Sequence, residues 1–274
     1  VRYDLPEITP KTSLIILADE DIETARQAIK NYIENTDYLD YEIVLVGSEK
    51  FKSVLENQFF EPKTKFVACE NRSEAARYNF GAAQASGEIL CFVDPNLRPC
   101  SKDWLKELVS FAAHKEIGAV GAKILSADEM VLHGGLIIGT SETVSVANYK
   151  LPRQADGHLF RARFVNNYSA VSISCLAVRS DIFLENKGFD AGKFPDKFFD
   201  ADLCLRLREK KHRIVFTPYA ELTQINANKL LNEQKKASEK ETEIFKRKWR
   251  NIIGEDPFYN PNFSDKNGSF SIKI

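Results

Sequence analysis

Short apolar runs alternate with helical patterns over about the first hundred residues. Ser13-Leu14-Ile15-Ile16-Leu17, Glu42-Ile43-Val44-Leu45-Val46, Lys65-Phe66-Val67-Ala68 and Glu88-Ile89-Leu90-Cys91-Phe92-Val93 read as strands buried on both faces. Between them, Ile22 to Asn35 and Ser73 to Ala85 carry apolar residues at helical spacing, with Ser73 placed to cap the second helix. This alternation predicts an α/β fold, a mostly parallel central sheet flanked by helices. In such sheets ligands bind beyond the C-terminal ends of the strands. Those ends are Leu17–Glu20, Val46–Ser48 and Asp94–Asn96, so three candidate contacts are expected to share one crevice.

After Trp104 the order changes. A helix pattern from Lys102 to His114 leads to the strand Ile117–Lys123, a His133-Gly134-Gly135 turn, and an apolar stretch from Val171 to Val178. Between the last two, Thr140 to Phe164 is poorly patterned and longer than an ordinary connection, which predicts a functional or mobile segment. Leu230 to Ile253 is highly charged, with Ile244, Phe245, Trp249, Ile252 and Ile253 forming an apolar stripe. A basic amphipathic helix can rest on a membrane. Acidic residues interrupt the basic ones here, so packing on the domain is expected instead.

With 274 residues, 43% of them hydrophobic, the chain has ample core for one large α/β domain or two closely fused halves. A balance of 38 basic against 39 acidic residues provides no field for nucleic acid. No apolar run is long enough to span a bilayer, and no secretory signal opens the chain. Cys69, Cys91, Cys100, Cys175 and Cys204 are scattered and mostly inside apolar runs, as expected of reduced thiols in the cytoplasm. The first residue is Val, which makes the chain an expected piece of a longer polypeptide with further domains.

Chemistry concentrates in Phe198-Phe199-Asp200-Ala201-Asp202-Leu203-Cys204-Leu205-Arg206-Leu207-Arg208-Glu209 and the Val215-Phe216-Thr217-Pro218 that follows. Two carboxylates at i and i+2 sit behind an aromatic pair and open an amphipathic helix. Asp200 at the helix N-terminus meets backbone amides that favour negative charge. Facing a cleft, it can take a proton from a hydroxyl. It can equally be a cap, with Asp202 paired to an Arg, and spacing alone favours that simpler role.

The whole segment resembles the signature of glycosyltransferase family 2, in which an acidic residue and an Asp-Leu-Cys-Leu-Arg-Leu-Arg helix precede a Thr-Pro strand. The likeness extends over nearly the whole chain. Thr12–Leu17, Asn79-Phe80-Gly81 through Ala85-Ser86-Gly87-Glu88, Trp104, Gly118–Lys123, His133-Gly134-Gly135 and Gly188-Phe189-Asp190 fall in the family's order. Leu151-Pro152-Arg153, Asn167-Tyr168-Ser169-Ala170 and Asp256–Asn262 are similar to a narrower branch, the rhamnosyltransferase-like enzymes of bacterial O-antigen and surface polysaccharide synthesis. The resemblance implies a GT-A fold, a nucleotide-sugar donor, a glycan or lipid-linked glycan acceptor, and an inverting displacement, at the inner face of the membrane. It implies Asp200 as the base. Leu17, Glu20, Gly47, Asn79, Asp94 and Asn96 fall at the donor, and His133, Gly134, Gly188, Asp190 and Asp202 near the acceptor. Residues 1–98 would be the nucleotide-sugar half, 99–225 the acceptor half, and 226–274 a C-terminal helix and tail packed on them.

The chain departs from the family at the donor. The second strand usually ends in Val-Asp-(Asp/Asn)-Gly-Ser but here in Val46-Gly47-Ser48; the metal motif is Asp94-Pro95-Asn96; a later His is Gln224. An amide brings a cation an oxygen but no charge, so Asp94, Asn96 and Gln224 are expected to hold Mg²⁺ or Mn²⁺ weakly or not at all. Arg77, Lys123 or the Arg161/Arg163 pair can replace charge on the diphosphate, or simply be solvated. The alternative is a catalytically silent GT-A domain that binds glycan or serves as a scaffold in a larger synthase.

Overall fold

A computed structural model describes residues 2–18, 22–51, 54, 61–71, 73–225, 237–264, 266 and 268–273. The four apolar runs of the first half become β1 (Thr12–Leu17), β2 (Tyr41–Gly47), β3 (Thr64–Ala68) and β4 (Ile89–Val93). All pair in parallel, with β1 between β2 and β4, so that Ile15 faces Val44 on one side and Phe92 on the other. Two helices of this half are α1 (Ile22–Glu34) and α2 (Glu74–Gln84). Ser73 caps α2, its side chain accepting from the Ala76 amide.

The second half extends the same sheet and changes its polarity. Its strands are β5 (Leu97–Pro99), β6 (Ile117–Leu125), β7 (Val131–His133), β8 (Leu136–Ile138), β9 (Val144–Val146), β10 (Asn166–Asn167), β11 (Cys175–Arg179) and β12 (Arg213–Gln224). The order across the sheet is β10-β12-β6-β11-β4-β1-β2-β3. β11 runs antiparallel between β4 and β6, whereas β12 is parallel to β6. The helices here are α3 (Trp104–Ala112), α4 (Ser180–Glu185), α5 (Phe199–Glu209) and α6 (Glu239–Lys248). The poorly patterned 140–164 segment contains β9, which pairs with β8 in a separate two-stranded sheet.

Strand alternation divides the core between the two faces. Leu14 and Ile16 of β1 join α1 and α3 on one face; Ile15 and Leu17 join α2, α5 and Phe245 of α6 on the other. Helix α2 lies close because Gly81 has no side chain: a Cβ there would come within 2.7 Å of methyls on Ile15 and Val46. That close seating brings the start of α2 over the C-terminal ends of β1 and β2.

Candidate active site

A crevice of about 500 Å³ opens beyond the C-terminal ends of β1 and β4. Its walls include Leu17, Arg77, Asp94, Asn96, His133, Asp200 and Gln224, so residues far apart in sequence meet in one place. Arg77 reaches from α2 and donates to the carbonyls of Ala18 (2.7 Å) and Val46 (3.3 Å), spanning the ends of two neighbouring strands.

Asp94 follows β4 and is fixed by its own turn. Its Oδ1 accepts from the Asn96 amide at 2.7 Å and from Asn96 Nδ2 at 2.9 Å. Tyr32 donates its hydroxyl to the Asp94 carbonyl at 2.8 Å. Asn96 is buried, and its carbonyl accepts from Ile225 N at 2.8 Å, which ties the end of β12 to this turn. Gln224 is buried there too, and its Oε1 accepts no hydrogen bond among the described residues. The Asp94–Asn96–Gln224 set therefore offers a hard cation one carboxylate and amide oxygens, a fit of low charge. Among the described residues no group of three His, Cys, Asp or Glu side chains comes together as a metal cluster.

Asp200 stands in the first turn of α5, which begins after Phe198 in a left-handed conformation (φ 64°). Its Oδ2 accepts from Ile173 N at 2.9 Å and its Oδ1 from Ala201 N at 2.8 Å. Burial raises its pKa above the ordinary carboxylate value, while those two amides and Lys197 pull the other way. The net result is a half-buried carboxylate with enhanced proton affinity on the crevice wall. His133 faces the same space. Burial, with Lys197 nearby, lowers its pKa to about 4, so the ring is neutral at pH 7, and its Nδ1 has no partner among the described residues.

Other sequence-predicted residues lie outside the crevice walls. Asn79 clasps Phe189 through both backbone groups, donating to its carbonyl (2.8 Å) and accepting from its amide (2.9 Å). Gly188 adopts φ +61° beside that clasp, where a Cβ would fall 2.5 Å from Asn79 Oδ1. Asp190 pairs with Lys193 at 2.9 Å. Gly134 packs against the Ala147 carbonyl, and the Gly47 carbonyl accepts from Cys69 N. Asp202 is fully buried, held by Arg206, Lys248 and Trp249. Of the candidate cations, only Arg77 reaches the crevice. Lys123 is buried against Glu221 and the Arg153 carbonyl, Arg161 lies over the Tyr168 and Phe270 rings, and Arg163 pairs with Asp156. Glu20 lies outside the described residues.

The structure adds Lys197 and the Ser172-Ile173-Ser174 turn to the crevice. Lys197 is three residues before Asp200, a cue the sequence carried openly. The serines interrupt the apolar 171–178 stretch, and that break marks where the chain leaves the core for the site.

Residues 13–171, more than half of the chain, match the profile of glycosyl transferase family 2, and the chain belongs to that family. Among individual proteins it is 28% identical over 270 residues to the O-antigen biosynthesis protein RfbC of Myxococcus xanthus, covering 96% of this chain and 21% of that protein. It spans less than a third of the length of the curated relatives it matches. Among solved structures, mannosyltransferase PcManGT from Pyrobaculum calidifontis, in complex with GDP-Man and Mn²⁺, aligns with a TM-score of 0.58 at 16% identity, covering 82% of this chain and 60% of that one. TarS 1–349 of S. aureus, in complex with UDP-GlcNAc, aligns at 0.58 and 16%, covering 92% and 68%. These neighbours share the GT-A fold, a large sheet flanked by helices.

Proposed function

We propose that this chain is an inverting glycosyltransferase domain that moves a sugar from a nucleotide-sugar donor to a hydroxyl of a glycan in bacterial surface polysaccharide synthesis. In one displacement the acceptor oxygen bonds to the anomeric carbon, the bond from that carbon to the diphosphate breaks, and Asp200 takes the hydroxyl proton. The observation that supports this most is the position of Asp200: a half-buried carboxylate of raised pKa on the same crevice as the Asp94–Asn96 turn. Arg77, over the ends of β1 and β2, lies on the donor side of the crevice. Asp94, Asn96 and Gln224 would hold a divalent cation. When bound, such an ion supplies positive charge to the leaving diphosphate. Residues 1–98 would receive the donor and 99–225 the acceptor, a lipid-linked glycan.

Among the described residues no helix is long and apolar enough to cross a membrane. We place the reaction at the cytoplasmic face of the membrane, in keeping with five free cysteines.

One feature favours a silent binding module instead: Asp94 Oδ1 is already engaged by its own turn. Calorimetric titration of UDP, GDP and dTDP, with and without Mg²⁺ or Mn²⁺, separates the two. Saturable binding of one nucleotide, with transfer abolished by Asp200→Asn, supports the enzyme. Silence towards every nucleotide sinks it.

A further inference from the structure

The C-terminal helix α6 is highly charged, yet Glu241 and Phe245 are its buried residues. Glu241 closes a capping box with Ser238, its Oε2 accepting from the Ser238 hydroxyl (2.7 Å) and amide (3.3 Å). In such a box the second carboxylate oxygen has no assigned partner. Here it has two. Glu241 Oε1 accepts from the amides of Asp196 (3.0 Å) and Lys197 (2.9 Å), well over forty residues earlier in the chain. Although burial acts to raise its pKa, the Ser238 hydroxyl and the Lys197 and Asp196 amides hold it below the ordinary value, so the side chain is ionised.

The turn that Glu241 grips is the one leading into Asp200. Its Pro195 carbonyl accepts from Ala75 N and the Ser73 hydroxyl at the start of α2. Phe198, the left-handed residue that starts α5, stacks on Phe245 with ring centroids 4.7 Å apart. On the far side of Asp200, Asp202 is tied to Lys248 and Trp249 at the end of α6. Contacts from α6 thus bracket Asp200, and the Glu241 contact sets the backbone of Lys197, whose charge bears on both Asp200 and His133.

We propose that Glu241 is a positioning residue for the base: one carboxylate both nucleates α6 and fixes the Asp196–Lys197 turn that aims Asp200 and Lys197 into the crevice. This rests on the reading of Asp200 given above. A displacement of about 1 Å at a reacting group can cost on the order of 100-fold in rate, so a loosened turn acts on turnover and not on donor affinity.

Three variants test it. Glu241→Ala removes both acceptors, Glu241→Met does so while keeping bulk should the alanine protein fold poorly, and Glu241→Gln keeps one oxygen for the two amides. Hydrogen–deuterium exchange is followed over residues 194–201. In parallel, hydrolysis of UDP-glucose, UDP-GlcNAc, GDP-mannose and dTDP-rhamnose is measured, with water as acceptor. Removing the acceptors should speed exchange in that segment and leave β1 and β4 protected. kcat should fall roughly 10- to 100-fold with KM unchanged, and Glu241→Gln should recover most of both effects. Unchanged exchange overturns the clasp. Faster exchange with undiminished kcat overturns the positioning role. Should the wild-type protein hydrolyse none of these donors and bind none of UDP, GDP and dTDP, it is the reading of Asp200 that fails, and loss of protection confined to 194–201 still supports the clasp.

Discussion

Asp200 separates chemistry from capping because its two oxygens each accept from a different backbone amide. Asp200→Asn keeps the shape but has a single oxygen, so one amide loses its acceptor at a cost of about 1–2 kcal/mol. The variant should stay folded while transfer falls by roughly 10²–10⁴-fold, the usual contribution of a general base. Normal transfer by the folded variant would make Asp200 a cap. A second residue-scale prediction concerns Asn96, whose side-chain amide donates to Asp94 Oδ1 at 2.9 Å. Asn96→Asp replaces that bond with two facing carboxylates. Without metal the pair repels and the melting temperature should drop; with Mn²⁺ it should rise by more than in wild type. Adding Gln224→His, where the native Oε1 has no partner among the described residues, should enlarge the Mn²⁺ response. An identical Mn²⁺ shift in wild type and variants would show that these side chains do not converge on one ion.

At the scale of elements, β1, β2, β4 and α2 are legible because buried parallel strands are unbroken apolar runs and Ser73 is a plain capping signal. β3, expected to be buried on both faces, is instead the edge strand, with only Val67 buried. Asp202 is a different matter. The sequence puts it two residues from Asp200, yet i and i+2 on a helix point about 200° apart. With Asp200 on the crevice, Asp202 must face the core, and there Lys248, Trp249 and Arg206 satisfy it. Arg206, four residues on, is the local partner that the spacing announced. Lys248 and Trp249 lie 46 and 47 residues away, and no local pattern announces them. Glu241 hides for the same reason, since a capping box explains only one of its oxygens. Asp202→Asn would leave Lys248 and Arg206 half-buried without their counter-charge, a loss of about 3 kcal/mol or more. Its melting temperature should fall clearly while nucleotide affinity holds. If instead affinity fell at constant stability, Asp202 would belong to the crevice after all.

The molecule is built on one large sheet whose parallel half is written in the sequence and whose mixed half is not. β11 enters antiparallel between β4 and β6, an order set by a long excursion through residues 126–174 that apolar periodicity cannot encode. That excursion carries His133 and Ile173 to the crevice, so half of the site depends on topology more than on motif. It also makes stability depend on pH. His133 has a folded pKa of about 4 against an ordinary 6.5, because burial disfavours its charged form. Between those values the unfolded chain binds the proton more tightly, so stability falls as pH drops from 6.5 towards 4. The shift corresponds to no more than about 3 kcal/mol, less for the part of the ring that meets solvent. Glu241, held low by its amides and Ser238, adds a loss in the same direction below pH 4.5, its ordinary value. Asp200 and Asp256, raised by burial, oppose the trend from their folded values down to the ordinary 3.8, since a raised acid destabilises the fold only when ionised. The fall in stability between pH 6.5 and 4.5 is therefore the contribution of His133, against which the raised acids work. His133→Gln, which cannot be protonated, should flatten the melting temperature across that window while leaving the slope below it in place. A variant whose melting temperature falls as steeply as wild type between pH 6.5 and 4.5 would show that His133 is not buried neutral in the fold.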